Sequence, residues 1–291
     1  LDDAWAAYQQ ALALQPTLVD AYTNLGVLHT ERGALDRALA AYDQALALRP
    51  DDVDAAWNKA NFLLLTGQLA QGWALYEQRW RRGLAAPQVR PAASPRWQGT
   101  QALQGKTLLV MAEQGLGDTI QFCRFVPEVA ALGARVILER PAALAGLLEA
   151  LPGVAQAIDP TELRPASDFH CPLMSLPLAL GTTWQTLPAP SAYLQARADK
   201  RAHWAAVLGH ATRPRVGLVW RGNPRHGQDL QRSLPLPTLL SALPDHCDYV
   251  SLQKDVPAQE QTRLAQDARV RDLGPQLQDF TDTAALCTLM D

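Results

Sequence analysis

The stretch AEQGLGD, residues 112–118, sets two glycines one residue apart ahead of an aspartate, directly behind the apolar run TLLVM. Gly115 and Gly117 permit backbone angles and a close approach that side chains would block. Asp118 then falls at the start of a helix, where backbone N–H groups lack intrahelical partners. Two chemistries fit an aspartate there. It can act as an N-cap, worth about 0.5–2 kcal/mol over alanine. It can also act as a general base reaching into a cleft between two domains, a role worth on the order of 10²–10⁴ in rate. Gln114 shares the bend, and with Gly115 and Gly117 it is assigned to the turn or to acceptor contacts. The glycine pair lacks the third glycine of a dinucleotide fingerprint. Glu139, which ends RVILE, nevertheless stands about 20 residues further on, where such a fold places its ribose-binding acid. A dinucleotide-dependent oxidoreductase therefore stays open as an alternative.

A second concentration of polar groups lies in GLVWRGNPRHGQDLQRSLPL, where Arg221, Asn223, Arg225, His226 and Arg232 follow an apolar run. Fork-shaped donors at the carboxyl end of a strand suit a diphosphate. The plain alternative is a solvated loop that happens to carry arginines. Arg232 lies beside the next helix start, where the helix dipole also favours an anion. Gln253 and Lys254 follow DYVSL and can touch a ribose or base, or simply sit in an exposed loop. His170 and Cys171 suggest a thiol nucleophile, but DFHCPL reads more naturally as a buried strand end. No HExxH, P-loop or Ser-His-Asp spacing occurs, and no carboxylate cluster calls for a metal.

These residues need elements to hold them. Ala4, Tyr8, Ala11 and Pro16 recur 34 residues on as Ala38, Tyr42, Ala45 and Pro50, and NLG (residues 24–26) supplies a small residue between them. Small alanines let helices approach, the tyrosine fills the gap and proline ends the helix. This pattern closely resembles the tetratricopeptide repeat. A third unit, DAAWNKANFLLLTGQLAQGWALYEQRW, carries Gly72 and Arg79 where alanines stood before, as suits a terminal repeat packing on something other than another repeat. The expected division is repeats over 1–83, a linker rich in proline, arginine and small residues over 84–105, a first wound half over 106–212 and a second over 213–291. In each half short apolar runs (TLLVMA, RVILE and DFHCPL, then RVGLVW, DYVSLQ and RVRDL) alternate with helical stretches. Such alternation means a parallel sheet covered by helices.

With 291 residues, 48% apolar and 19% charged, the chain can bury substantial cores and is not disordered. A net charge of −3 without a basic run disfavours nucleic acid as a partner. No apolar run reaches membrane-spanning length and no signal-peptide pattern opens the chain. The four scattered cysteines fit reduced, buried thiols in a cytoplasmic protein. Leu1 in place of Met, and a helical pattern running into Asp291, read as cut ends of a longer protein.

AEQGLGDTIQFCRFVPEV, DFHCPLMSLPLALGTT, RVGLVWRGNP, RSLPL, SLQK and DTAAL together resemble the bacterial tetratricopeptide-repeat proteins that carry a glycosyltransferase domain of the heptosyltransferase type. The likeness runs over essentially the whole chain. It implies a helical tetratricopeptide solenoid followed by an α/β GT-B domain: two Rossmann-like halves across a cleft, the first for the acceptor and the second, truncated here, for the donor. It further implies an inverting, metal-independent transfer from a nucleoside-diphosphate sugar, used as co-substrate with no other cofactor. In that family the aspartate of the GD turn is regarded as the catalytic base, matching Asp118. A basic residue early in the donor half binds the phosphates, best matched by Arg232, with Arg221, Asn223, Gln253 and Lys254 nearby. The family continues past LMD into a glycine-rich loop that closes on the diphosphate, so this stretch is expected to be inactive alone. A protein or peptide acceptor laid along the repeats is expected only by analogy with O-linked N-acetylglucosamine transferases, which join such repeats to a GT-B domain. The rival is a non-catalytic interaction scaffold with a degenerate wound domain.

Overall fold

The computed structural model describes residues 1–83, 90–189, 192–223 and 229–291. The chain forms two compact units, Leu1–Pro141 with Pro152–Ser191, and Ala142–Leu151 with Ala192–Asp291.

The first unit opens with α1 (Asp2–Leu14), α2 (Val19–Glu31), α3 (Leu35–Leu48), α4 (Val53–Leu65) and α5 (Leu69–Tyr76), then a single 3₁₀ turn, Glu77–Trp80. Left-handed glycines, Gly33 and Gly67, turn the chain between α2 and α3 and between α4 and α5. In the second copy of the 34-residue period the residues are packed as expected, whereas no residue of α1, which carries the first copy, is fully buried. Ala38, Tyr42 and Ala45 are buried, and the Tyr42 ring lies where a side chain on Gly26 would begin, 2.4 Å from the ideal Cβ position. Tyr42 also packs on Phe62, with ring centroids 5.8 Å apart.

The same unit contains β1 (Thr107–Met111), α6 (Leu116–Phe122), α7 (Val126–Ala131), β2 (Arg135–Glu139), β3 (Val154–Ile158), β4 (Phe169–Pro172) and α9 (Leu176–Ala179). The sheet runs in the order β3-β2-β1-β4, all parallel. That is the order of the first four strands of a doubly wound sheet. β1 and β2 are apolar on both faces, as a covered parallel sheet requires. β3, by contrast, carries Gln156 between alanines, so its apolar signal is too thin to predict a strand. Between β1 and β2 the chain is helical in two pieces, α6 and α7, joined by the 3₁₀ turn Cys123–Phe125, because Pro127 lacks the N–H that a continuous helix needs and instead occupies the start of α7.

Part of the stretch expected as a linker is folded onto this sheet. The Trp97 N–H donates to the His170 carbonyl at 2.8 Å and the His170 N–H to the Pro95 carbonyl at 3.0 Å. The Trp97 ring is buried, and Gly99 lies against the Ala179 carbonyl, where no side chain would fit.

The second unit comprises α8 (Ala145–Leu148), α10 (Ala198–Leu208), β5 (Arg215–Leu218), α11 (Asp229–Arg232), α12 (Leu236–Ala242), β6 (Asp248–Ser251), α13 (Ala258–Gln266), β7 (Val270–Asp272) and α14 (Phe280–Cys287). Its sheet is β5-β6-β7, again parallel. Neighbours along β6 point to opposite faces, so Tyr249 joins a cluster with Leu218, Trp220, Leu236 and Leu264 while Val250 joins Trp204, Leu252, Leu273 and Leu286. Both faces of the sheet are thus covered. In the second cluster the Trp204 indole donates to Asp282 at 2.9 Å, and Lys200 pairs with the same carboxylate at 2.9 Å. Among the described residues no helix is long and apolar enough to cross a membrane.

The expectation of four buried thiols holds for Cys123 and Cys171 alone. Cys247 is half-buried and Cys287 exposed, because α14 turns Cys287 outward beside the buried Ala285 and Leu286.

Candidate functional site

The Asp118 loop begins where β1 ends. Met111 completes the strand, and the Ala112 N–H continues the ladder to the Glu139 carbonyl at 2.9 Å. Glu113 then turns inward and is almost completely buried. Gln114 takes a left-handed conformation with φ 60°, the only non-glycine to do so among the described residues. Gly115 is extended, with φ −86° and ψ 170°. This corrects the expected role of the glycine pair: neither glycine provides the left-handed bend, which falls on Gln114 instead. Gly117 faces open space, with no atom within 4 Å of where a Cβ would stand, so it does leave room for another molecule.

Asp118 occupies the third position of α6, and its Oδ2 accepts the Gly115 N–H at 2.9 Å. This corrects the N-cap expected at Asp118: Gly115 holds the N-cap position and has no side chain to return a bond, and Asp118 caps the helix start one-sidedly from the third position. It also lines a cavity of about 340 Å³ whose other walls include Trp73, Tyr76, Phe122, Phe125 and Arg124. The aromatic walls interlock: Trp73 meets Phe122 edge to face at 5.7 Å and Tyr76 at 6.0 Å. Cap and cavity-lining group are thus one side chain, and the cap engages its Oδ2.

Residues absent from the sequence-level site dominate its surroundings. Arg79, fully buried, donates from Nε to Glu113 Oε2 and from Nη2 to Glu113 Oε1, both at 2.9 Å. It also donates to Ser175 Oγ at 2.6 Å and to Glu77 Oε1 at 2.8 Å. Glu113 Oε1 further accepts the Met174 N–H at 3.1 Å, and Arg96 binds Glu77 and Ser175. Burial on its own would lower the Arg79 pKa, but Glu113 and then Glu77 outweigh it and raise it. Burial pushes Glu77 upward, yet Arg79 and Arg96 hold it below the usual carboxylate value. Arg79 stands out in the sequence as a misfit in its repeat, whereas no motif singles out Glu113; pairing them requires the fold.

The second polar group assembles at the carboxyl ends of β5 and β6. Gln253 Oε1 accepts the N–H groups of Trp220 at 3.2 Å and Arg221 at 3.0 Å. Arg221 pairs with Glu260 at 2.9 Å, and the Trp220 indole donates to the other Glu260 oxygen at 3.0 Å. Lys254 Nζ reaches the Gln278 carbonyl at 3.3 Å. Arg221, Asn223, Gln253 and Lys254 line one cavity of about 590 Å³. Arg232 lies over Gly222, its Nη2 3.0 Å from the ideal Cβ position there. Five candidate residues are thus gathered in one place, while Arg225 and His226 lie outside the described residues. Glu260, which no motif in the sequence singles out, already neutralises Arg221.

Two alternatives lose their groups. Glu139 is buried and gripped by Arg164 through two hydrogen bonds, 2.6 and 2.9 Å, which leaves it unable to take a ribose. Cys171 is buried on β4, where burial pushes its thiol up to about 12. His170 Nδ1 is held by the Ser94 carbonyl at 2.7 Å, so the pair is structural. Among the described residues no group of three or more His, Cys, Asp or Glu side chains is placed to hold a metal.

Residues 19–52 match the family model described as tetratricopeptide repeat. Protein FlbA of Caulobacter vibrioides is 28% identical over 257 residues, covering 79% of this chain and 42% of FlbA, so the chain spans less than half of that relative's length. A mutant O-GlcNAc transferase of Thermobaculum terrenum aligns over 92% of this chain and 70% of its own, at 14% identity and a TM-score of 0.28. The chain carries a tetratricopeptide repeat and, after it, two parallel α/β sheets.

Proposed function

We propose that this chain is the repeat and nucleotide-fold portion of an inverting glycosyltransferase of the heptosyltransferase type, using a nucleoside-diphosphate sugar. The observation that carries the reading is the position of Asp118: a carboxylate after the first strand of a 3-2-1-4 sheet, lining an aromatic-walled cavity beside an unobstructed glycine. Ligands of open α/β sheets gather beyond the carboxyl ends of the strands. Asp118 takes the proton of an acceptor hydroxyl as its oxygen attacks the anomeric carbon. The bond from that carbon to the diphosphate breaks, and the nucleoside diphosphate departs. Within the second unit, Arg232 and Lys254, with Asn223 and Gln253, are groups suited to hold a nucleoside diphosphate. Arg221 contributes less, since Glu260 already occupies it. The groove between α1, α2 and α3, lined by Leu12, Tyr22 and Gln44, suits an extended acceptor segment.

Asp118→Asn in the full-length protein tests this reading, because the amide oxygen keeps the cap while the base is lost. Transfer should fall by about 10²- to 10⁴-fold with the melting temperature little changed; an unchanged rate removes the assignment.

A second reading, a binding scaffold without catalysis, is favoured by the engagement of Asp118 in a cap and of Arg221 by Glu260. Thermal-shift screening of the full-length protein with uridine, guanosine and adenosine diphosphate sugars separates the two. Stabilisation by none of them favours the scaffold.

A further inference from the structure

We propose that the last repeat sets the geometry of the Asp118 loop, with Arg79 and Tyr76 as positioning residues, so that the repeat array is part of the site and not a detachable recruiting arm. The inference rests on the reading of Asp118 as the base. Glu113 and Gln114, the two residues directly ahead of Gly115, are each held by the same turn of chain. Arg79 takes both oxygens of Glu113, and the Tyr76 hydroxyl accepts from Gln114 Nε2 at 3.2 Å. Gln114 is the residue that most needs holding. A non-glycine residue persists in the left-handed region when its surroundings over-determine it, and here the determination comes from both sides. Behind it the Glu113 carboxylate is locked by Arg79 and by the Met174 N–H. Its own amide is tied to Tyr76. Ahead of it Asp118 closes the bend by accepting from Gly115. Burial pushes the Tyr76 phenol up to about 12, so it remains an uncharged partner for an amide.

The geometry separates this role from simple adhesion between repeat and sheet. A fork matters for Glu113, because lysine supplies the charge of arginine without two parallel donors in a rigid plane. Removing the Tyr76 hydroxyl leaves the ring, and hence its packing against Trp57 and Trp73, in place. Tyr76→Phe is thus the variant that preserves the fold, and Arg79→Lys the stronger perturbation.

Amide hydrogen exchange and steady-state kinetics on the full-length protein test the proposal together. In both variants exchange at residues 114–118 should rise by about tenfold or more, while Leu108–Met111 of β1 and the α4 amides change by less than about twofold. Turnover should fall by about tenfold with the donor KM nearly constant, as expected when a base is displaced and donor contacts are untouched. Unchanged exchange in the loop overturns the proposal, and so does an equal rise in β1 and α4, which would mark general loosening. If the wild-type protein transfers sugar from none of the three donor classes while loop exchange responds as described, the transferase reading fails and the positioning role stands.

Discussion

Arg79 and Glu113 meet through two parallel hydrogen bonds of 2.9 Å, and neither side chain retains any accessible surface. One residue comes from the end of the helical repeats, the other from the loop that follows the first strand. A bidentate pair of this kind costs much desolvation to form, so its value lies in what happens when one partner is removed.

Arg79→Met leaves Glu113 buried without its cation and should destabilise the first unit by about 3–5 kcal/mol. Combining it with Glu113→Leu removes the orphaned charge, so the double variant should lose less than the single one. Urea denaturation followed by tryptophan fluorescence measures both. Equal midpoints for the wild type and Arg79→Met would show that the pair carries no such weight.

Gly26→Ala places a methyl group against the Tyr42 ring, three of whose atoms lie 2.4–2.7 Å from the ideal Cβ position. Overpacking of that kind should cost about 1–3 kcal/mol. Tyr42→Phe keeps the offending ring atoms and should not relieve the clash, whereas Tyr42→Leu in the same background should. The melting temperatures of the three variants give the order.

Asp282 links acid stability to the second unit. Burial pushes its pKa up, but Lys200, the Gln278 N–H and the Trp204 indole together bring it down from 3.8 to about 2. The unfolded chain therefore binds this proton first as pH falls. The stability contributed by Asp282 is present above pH 3.8 and is lost progressively toward pH 2. Asp282→Asn should lower stability at neutral pH by about 1–3 kcal/mol and flatten the acid limb. A pH series of urea midpoints for both proteins reads the difference; parallel curves would refute it.

Thiol labelling separates the four cysteines. Burial pushes the thiols of Cys123 and Cys171 up to about 12, so both should stay unmodified in the native protein at neutral pH. Cys287, exposed at the end of α14 though its thiol is also raised by partial burial, should react ahead of both. Peptide mapping after brief maleimide treatment checks the order, and early modification of Cys171 would contradict the packing of β4.

Gln253→Ala should leave the N–H groups of Trp220 and Arg221 without their acceptor, at a cost of about 1–3 kcal/mol. It should also weaken the thermal shift produced by whichever nucleotide sugar binds. A variant with full stability and unaltered ligand response would remove Gln253 from the loop's support.

Much of this architecture is written in local patterns. The 34-residue recurrence of Ala38, Tyr42 and Ala45 declares paired helices because small and large residues must alternate where helices touch. Runs such as TLLVM and RVILE declare strands buried on both faces because no polar position interrupts them. Asp118 is legible as a helix-start acid, and the polar residues after β5 and β6 as a cluster, because strand ends collect such groups. Other features depend on chain segments that are distant in sequence. Arg79 finds Glu113 34 positions away and Ser175 96 positions away. Arg164 takes Glu139 out of contention, and Glu260 claims Arg221. Gln114, not either glycine, makes the left-handed bend. Local order follows from the periodicity of backbone hydrogen bonding, which each short stretch satisfies by itself. Whether a charge is free or already answered depends on which segments the folded chain brings within about 3 Å, and that is a property of the tertiary structure alone.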